Sequence, residues 1–144
     1  MKEMIYGPRE QSEVLCHEVY KGLDYGVINR GTHPCCYVEC TDVLLDRINK
    51  IPDDGTYFLI EPYEKANDLV TVHGGFTFFG PLHRLNSNKN YLGWDYAHYG
   101  DRVAGYGGYG GSSGKEWTTE ELVQACQECI NEFLKFSFRE ENHE

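Results

Sequence analysis

The hydrophobic pattern is clearest at the C-terminal end. Leu122, Cys126, Cys129, Ile130 and Phe133 recur at helical spacing and form one apolar stripe. Thr118 and Glu121 stand three residues apart as a capping box. Trp117 and Leu122 occupy the two positions of a hydrophobic staple. The spacing predicts a helix that starts after Thr118, packs across a sheet and ends near Phe136 to Phe138, with a frayed charged tail over 139–144. Upstream, Asp42 to Lys50 predicts a short helix with Leu44, Leu45 and Ile48 on one side. Ser12 reads as the N-cap of another helix through Tyr20, with Gly22 as its stop.

Strand patterns fill the middle of the chain. Cys35 to Cys40, Thr56 to Ile60, Leu69 to His73, Phe76 to Phe79 and Tyr91 to Ala97 are short, apolar and rich in β-branched or aromatic residues. Turn residues separate them: Pro52-Asp53-Asp54-Gly55, and a polar hairpin loop over Asn86 to Asn90. The fold class expected is α+β, with an antiparallel sheet of about four to six strands against a C-terminal helix. Residues 1–144 read as a single domain, interrupted by a glycine-rich loop over 105–114. That loop has two readings: a lid that lays Tyr106 and Tyr109 over a ligand, or a surface connection.

Composition narrows the class. The chain has 144 residues and a net charge of −10, with Arg and Lys scattered. Direct nucleic-acid binding requires a basic face, and none is visible. No apolar run approaches the roughly 18 residues of a membrane span, and the N-terminus lacks the apolar core of a signal peptide. A cytoplasmic location is expected, with the six cysteines as thiols.

The chemistry concentrates in Val72 to Asp101. Those thirty residues hold three histidines, two aspartates, a Gly-Gly pair and seven aromatics. His33, His73, Asp95, His98 and Asp101 suit a divalent metal such as zinc, or acid–base and ligand-binding work without one. They equally suit strand ends, where such side chains satisfy backbone groups. Asp95 and His98 converge only if the chain turns near Tyr96 to Ala97. Gly74-Gly75 admits a close neighbour, either a ligand or another part of the chain. Phe76, Phe78 and Trp94 read as core, whereas Tyr96 and Tyr99 read as ligand contacts. Arg84 and Arg102 are the cations available to neutralise a phosphate. Cys126-x-x-Cys129 lies on the apolar stripe and reads as core, without the second pair that a zinc site requires. A reactive thiol at Cys35 or Cys36 with His73 or His98 as base is a further reading.

Several of these elements occur together elsewhere. His33-Pro34, Tyr37-Val38, Val72-His73-Gly74-Gly75-Phe76-Thr77-Phe78 and Gly93-Trp94-Asp95-Tyr96-Ala97-His98-Tyr99-Gly100-Asp101, followed by a capped helix, resemble a family of small proteins encoded by bacteriophages and prophages. The resemblance spans roughly residues 30 to 135. This chain departs from it in Cys35-Cys36 and in the Asp42 to Lys50 segment. No catalytic residue can be carried over. The resemblance implies an accessory protein that counters a host defence in the host cytoplasm.

Three functions are expected on these grounds. The first is capture of a small nucleotide-like signal through His73, Gly74, Gly75, Arg84, Asp95, Tyr96, His98, Tyr99, Asp101 and Arg102, without a cofactor. The second is a small metal-dependent or histidine-based hydrolase using the same residues. The third is an acidic inhibitor of a basic, nucleic-acid-handling host protein. Homo-oligomerisation stays open.

Overall fold

The computed structural model describes residues 12–53, 55–57, 61–85, 87–98, 100–101 and 114–142. Five antiparallel strands form one sheet in the order β1-β2-β3-β5-β4. They are β1 (Glu13–Tyr20), β2 (Leu23–Asn29), β3 (Pro34–Glu39), β4 (Phe78–Pro81) and β5 (Asn90–Asp95). The helices are α1 (Asp42–Asn49), α2 (Pro62–Ala66) and α3 (Thr119–Asn142). The fold is thus α+β, with the long C-terminal helix carried by the sheet.

The first segment is a correction: Glu13 to Tyr20 is a strand, not a helix. Lys21 and Gly22 both take left-handed φ, 53° and 88°, and join β1 to β2 through a two-residue turn. Two positive φ values define the tight turn whose twist matches paired strands. A register shift between Val14 and Cys16 breaks the alternation. That bulge erases the period-two signal, which is why the segment imitates a helix. The expected strand at Leu69 to His73 is a second correction. Leu69 and Val70 close the turn after α2 with N–H bonds to the Ala66 carbonyl, and 70–72 runs on without sheet pairing. Its apolar residues are there because Val70 is buried and Leu69 and Val72 pack on the main core. Thr56 and Tyr57 are not in a strand, and residues 58–60 lie outside the described residues.

Strand alternation sorts the core into two layers. Cys36, Val38, Tyr25, Val27, Leu92 and Trp94 face α3 and meet its stripe of Leu122, Cys126, Cys129, Ile130 and Phe133. Full burial of each large side chain contributes about 1.5–3 kcal/mol. On the opposite face Ile28, Cys35, Tyr37 and Tyr91 meet Leu82 and Leu85, the latter from a short 3-10 helix (His83–Leu85). Gly26 is the spacer there, since a Cβ would stand 2.7 Å from Leu85.

The local helix signals hold. Glu121 N–H donates to Thr118 Oγ1 at 3.1 Å, and Thr118 N–H donates to Glu121 Oε1 at 3.0 Å. Helix α3 runs past Phe138 to Asn142, into the charged tail. Helix α1 is capped by Thr41, whose hydroxyl accepts from Leu44 N–H. Among the described residues no helix is long and apolar enough to cross a membrane.

Candidate functional site

The histidines and aspartates gather at one end of the sheet, where β5 leaves and β3 begins. Cys35 pairs with Asp95 in register, and Tyr96 N–H donates to the Pro34 carbonyl. Strand β5 stops at Asp95 because its own side chain turns the chain: Asp95 Oδ1 accepts from Ala97 N–H at 3.1 Å. The turn required for convergence is therefore present.

Asp101 is the hub. It is 2% exposed. Its Oδ2 accepts from the His98 backbone N–H at 2.9 Å and lies 2.8 Å from His73 Nε2. Its Oδ1 accepts from Trp117 Nε1 at 2.9 Å. Burial by itself would raise this carboxyl, but the bonds from His73, the His98 backbone and Trp117 outweigh it and hold Asp101 below the usual carboxylate range. An ionised Asp101 keeps the proton of His73 on Nε2, so Nδ1 is the free nitrogen. The His73 ring is fixed further by stacking on Tyr96, with centroids 4.5 Å apart and planes 8° apart, and by an edge contact with Trp117 at 5.2 Å.

His98 explains the first glycine of the pair. A Cβ on Gly74 would stand 2.2 Å from His98 Nε2. The close neighbour anticipated at Gly74 is this ring. Gly75 faces Asn67, whose Oδ1 accepts from Phe76 N–H at 2.8 Å. Both glycines carry positive φ, 72° and 85°. His98 Nε2 lies 3.2 Å from Asp95 Oδ1, within ion-pair distance. The alignment is too poor for a hydrogen bond, and the atom is buried without one. This is therefore an electrostatic contact rather than a bond.

His33 sits beside the same group, with Nδ1 2.8 Å from Thr32 Oγ1. Burial pushes its imidazole down, against the pull of Asp95 and with the help of Arg30, which keeps His33 neutral near pH 7. All five expected residues thus meet in one corner. Among the described residues, no group of three or more His, Cys, Asp or Glu is arranged to hold a metal ion.

Other candidates are placed differently. Tyr96 is 2% exposed, and its hydroxyl accepts from Trp94 Nε1, so it supports His73 from below rather than offering an open face. Arg84 lies in the 3-10 helix on the far face of the sheet and donates to the Ser12 carbonyl, away from His73. Tyr99, Arg102, Tyr106 and Tyr109 lie outside the described residues. The candidate thiols are sealed: Cys36 is 0% exposed, and burial pushes Cys35, Cys36 and Cys129 up, opposite to what a thiolate nucleophile requires.

The open space beside the hub is a cleft of ≈ 630 Å³ between residues 69–73 and α3. That volume suits a small organic ligand. His73, Trp94, Tyr96 and Trp117 line its aromatic side, and Glu128 and Glu132 line the helix side. Sequence reasoning misses the glutamates, although a signal exists: Ala125, Glu128, Cys129 and Glu132 share one stripe of α3 at helical spacing, beside the core stripe. Trp117 is legible as a staple, not as the partner of Asp101.

No family model, curated protein or solved structure matches the chain.

Proposed function

We propose that this chain is a phage-type accessory protein that captures a small nucleotide-like signal of a host defence, holding the base or nucleoside end in the cleft beside His73. The cleft carries the reading: ≈ 630 Å³, lined by half-buried His73 and Trp117 over buried Trp94 and Tyr96, and by Glu128 and Glu132 of α3. Aromatic walls suit a planar heterocycle. Carboxylates accept from amino and ring N–H groups, and they repel phosphate. Arg84 lies on the other face, and among the described residues the cleft lining holds no Lys or Arg; Lys135, 3.1 Å from Glu132, and Lys115, over the Trp117 ring, are already committed to lining residues. The nucleobase end enters and the phosphates point away. The resemblance to phage-encoded proteins supplies the biological setting.

Isothermal titration with adenosine, guanosine, their mono- and triphosphates and a cyclic dinucleotide tests this. The expected result is saturable binding that Glu128→Gln or His73→Ala weakens at least tenfold, since each removes a charge-assisted or stacked contact of about 1.4 kcal/mol or more. Absence of binding across that panel would sink the proposal.

A second reading rests on the His73–Asp101 pair. Asp101 orients His73, and Nδ1 makes no hydrogen bond among the described residues. That is the arrangement of a general base able to take a proton from water. Product formation from a bound phosphodiester or ester, lost in His73→Gln with the fold retained, would establish turnover in place of capture.

A further inference from the structure

A second histidine–aspartate pair lies at the opposite end of the strands. His17 projects from β1 and Asp24 from β2, with Nε2 2.8 Å from Oδ2. Asp24 is 7% exposed and also accepts from the Tyr91 hydroxyl. Glu39, at the end of β3, accepts from the Asp24 backbone N–H and lies 3.9 Å from Lys89 Nζ. Four residues of β3 separate this corner from the His73 corner, about 13 Å along the strand. It is also on the other face, the one covered by the 3-10 helix.

His17, Asp24 and Lys89 line a hollow of ≈ 610 Å³ together with His83, Leu85, Ser87 and Asn88. The carboxylate in its lining is already engaged, Asp24 by His17 and Tyr91, and so is Glu39 nearby, by a backbone N–H and Lys89. Two of its polar side chains are uncommitted. Among the described residues the side chains of His83 and Asn88 are exposed and make no hydrogen bond or ion pair. Arg84, adjacent to His83, donates to the neutral Ser12 carbonyl, so no carboxylate in that contact cancels its charge. In a chain of net charge −10, the hollow is lined by His17, His83 and Lys89, and Arg84 follows His83 in the 3-10 helix.

We infer that this hollow is a separate binding site for a phosphate group, with Lys89, His83 and Asn88 donating to its oxygens and His17 held in place by Asp24. An ammonium and neutral donors sharing one hollow are what an oxyanion needs. The site stands independently of what the His73 cleft holds. The phosphate is either the free ion or the phosphoryl group of a larger molecule.

The test is titration of the isotope-labelled full chain with inorganic phosphate, pyrophosphate and adenosine monophosphate at fixed ionic strength, read by NMR. Sodium chloride serves as the control. Saturable shifts at His17, His83 and Asn88–Lys89 are expected, weakened roughly tenfold in His83→Ala and in Lys89→Ala. Both side chains are solvent-exposed, so the variants keep the fold. Equal affinity for phosphate and the nucleotide identifies the free ion; tighter nucleotide binding at the same residues identifies a phosphoryl group. Shifts matched by chloride, or unchanged in both variants, overturn the inference.

Discussion

Gly74→Ala tests the architecture of the His73 corner. Two separate costs act at this position. The first is conformational: alanine at φ 72° sits in the left-handed region, at about 1 kcal/mol. The second is steric: the new Cβ would stand 2.2 Å from His98 Nε2, well inside contact distance. The ring must leave its rotamer or push the turn, which costs about 1–3 kcal/mol more. The sum is about 3 kcal/mol. At roughly 2.1 cal/mol/K per residue, this 144-residue chain unfolds with about 0.3 kcal/mol/K, so the melting temperature should fall by about 10 °C. Gly22→Ala is the control, because Gly22 has φ 88° and an added methyl there would meet nothing within 4 Å. Its melting temperature should fall by about 3 °C. In a His98→Ala background the cost of Gly74→Ala should shrink to that of the control, a coupling of about 2 kcal/mol. Thermal unfolding followed by circular dichroism measures all four variants. Equal losses for Gly74→Ala and Gly22→Ala, or a Gly74→Ala cost untouched by His98→Ala, would refute the ring-on-glycine contact.

Further outcomes follow from the same geometry. Asp101→Asn should lose about 3 kcal/mol at neutral pH in urea unfolding, because it removes the charge that His73, Trp117 and a backbone N–H share. Since the folded Asp101 carboxyl is held low, its contribution is present above the unfolded value of about 3.9 and vanishes as pH falls through the lower folded value; the variant should show a flatter acid limb, and an unchanged limb would contradict this. With a disulfide reagent, Cys16 should label first and Cys36, Cys126 and Cys129 only on unfolding; mass mapping that finds Cys36 first would overturn the sealed core. Thr118→Ala should cost about 1 kcal/mol through loss of the α3 cap, roughly 3 °C, and no change at all would mean the helix begins elsewhere.

What the sequence determined was whatever rests on neighbours within one or two turns. The α3 cap and stripe, the α1 helix and the two faces of Cys35 to Cys40 depend on local spacing, and local spacing is written in the chain. The concentration of chemistry in Val72 to Asp101 was legible for the same reason. Where a residue's role depends on a distant partner, the tertiary structure decided. The bulge at Val14–Cys16 hid a strand, and apolar Leu69 to Val72 imitated one because the residues pack on the core without pairing. Gly74 is a glycine because of a ring twenty-four positions away. Trp117 completes Asp101, and Glu128 and Glu132 give the cleft its acidic wall. Arg84 went to the far face because Leu85 is buried against Gly26, a contact between segments that no local pattern records. Periodicity fixes which side of an element is apolar; only packing in three dimensions fixes what that side meets.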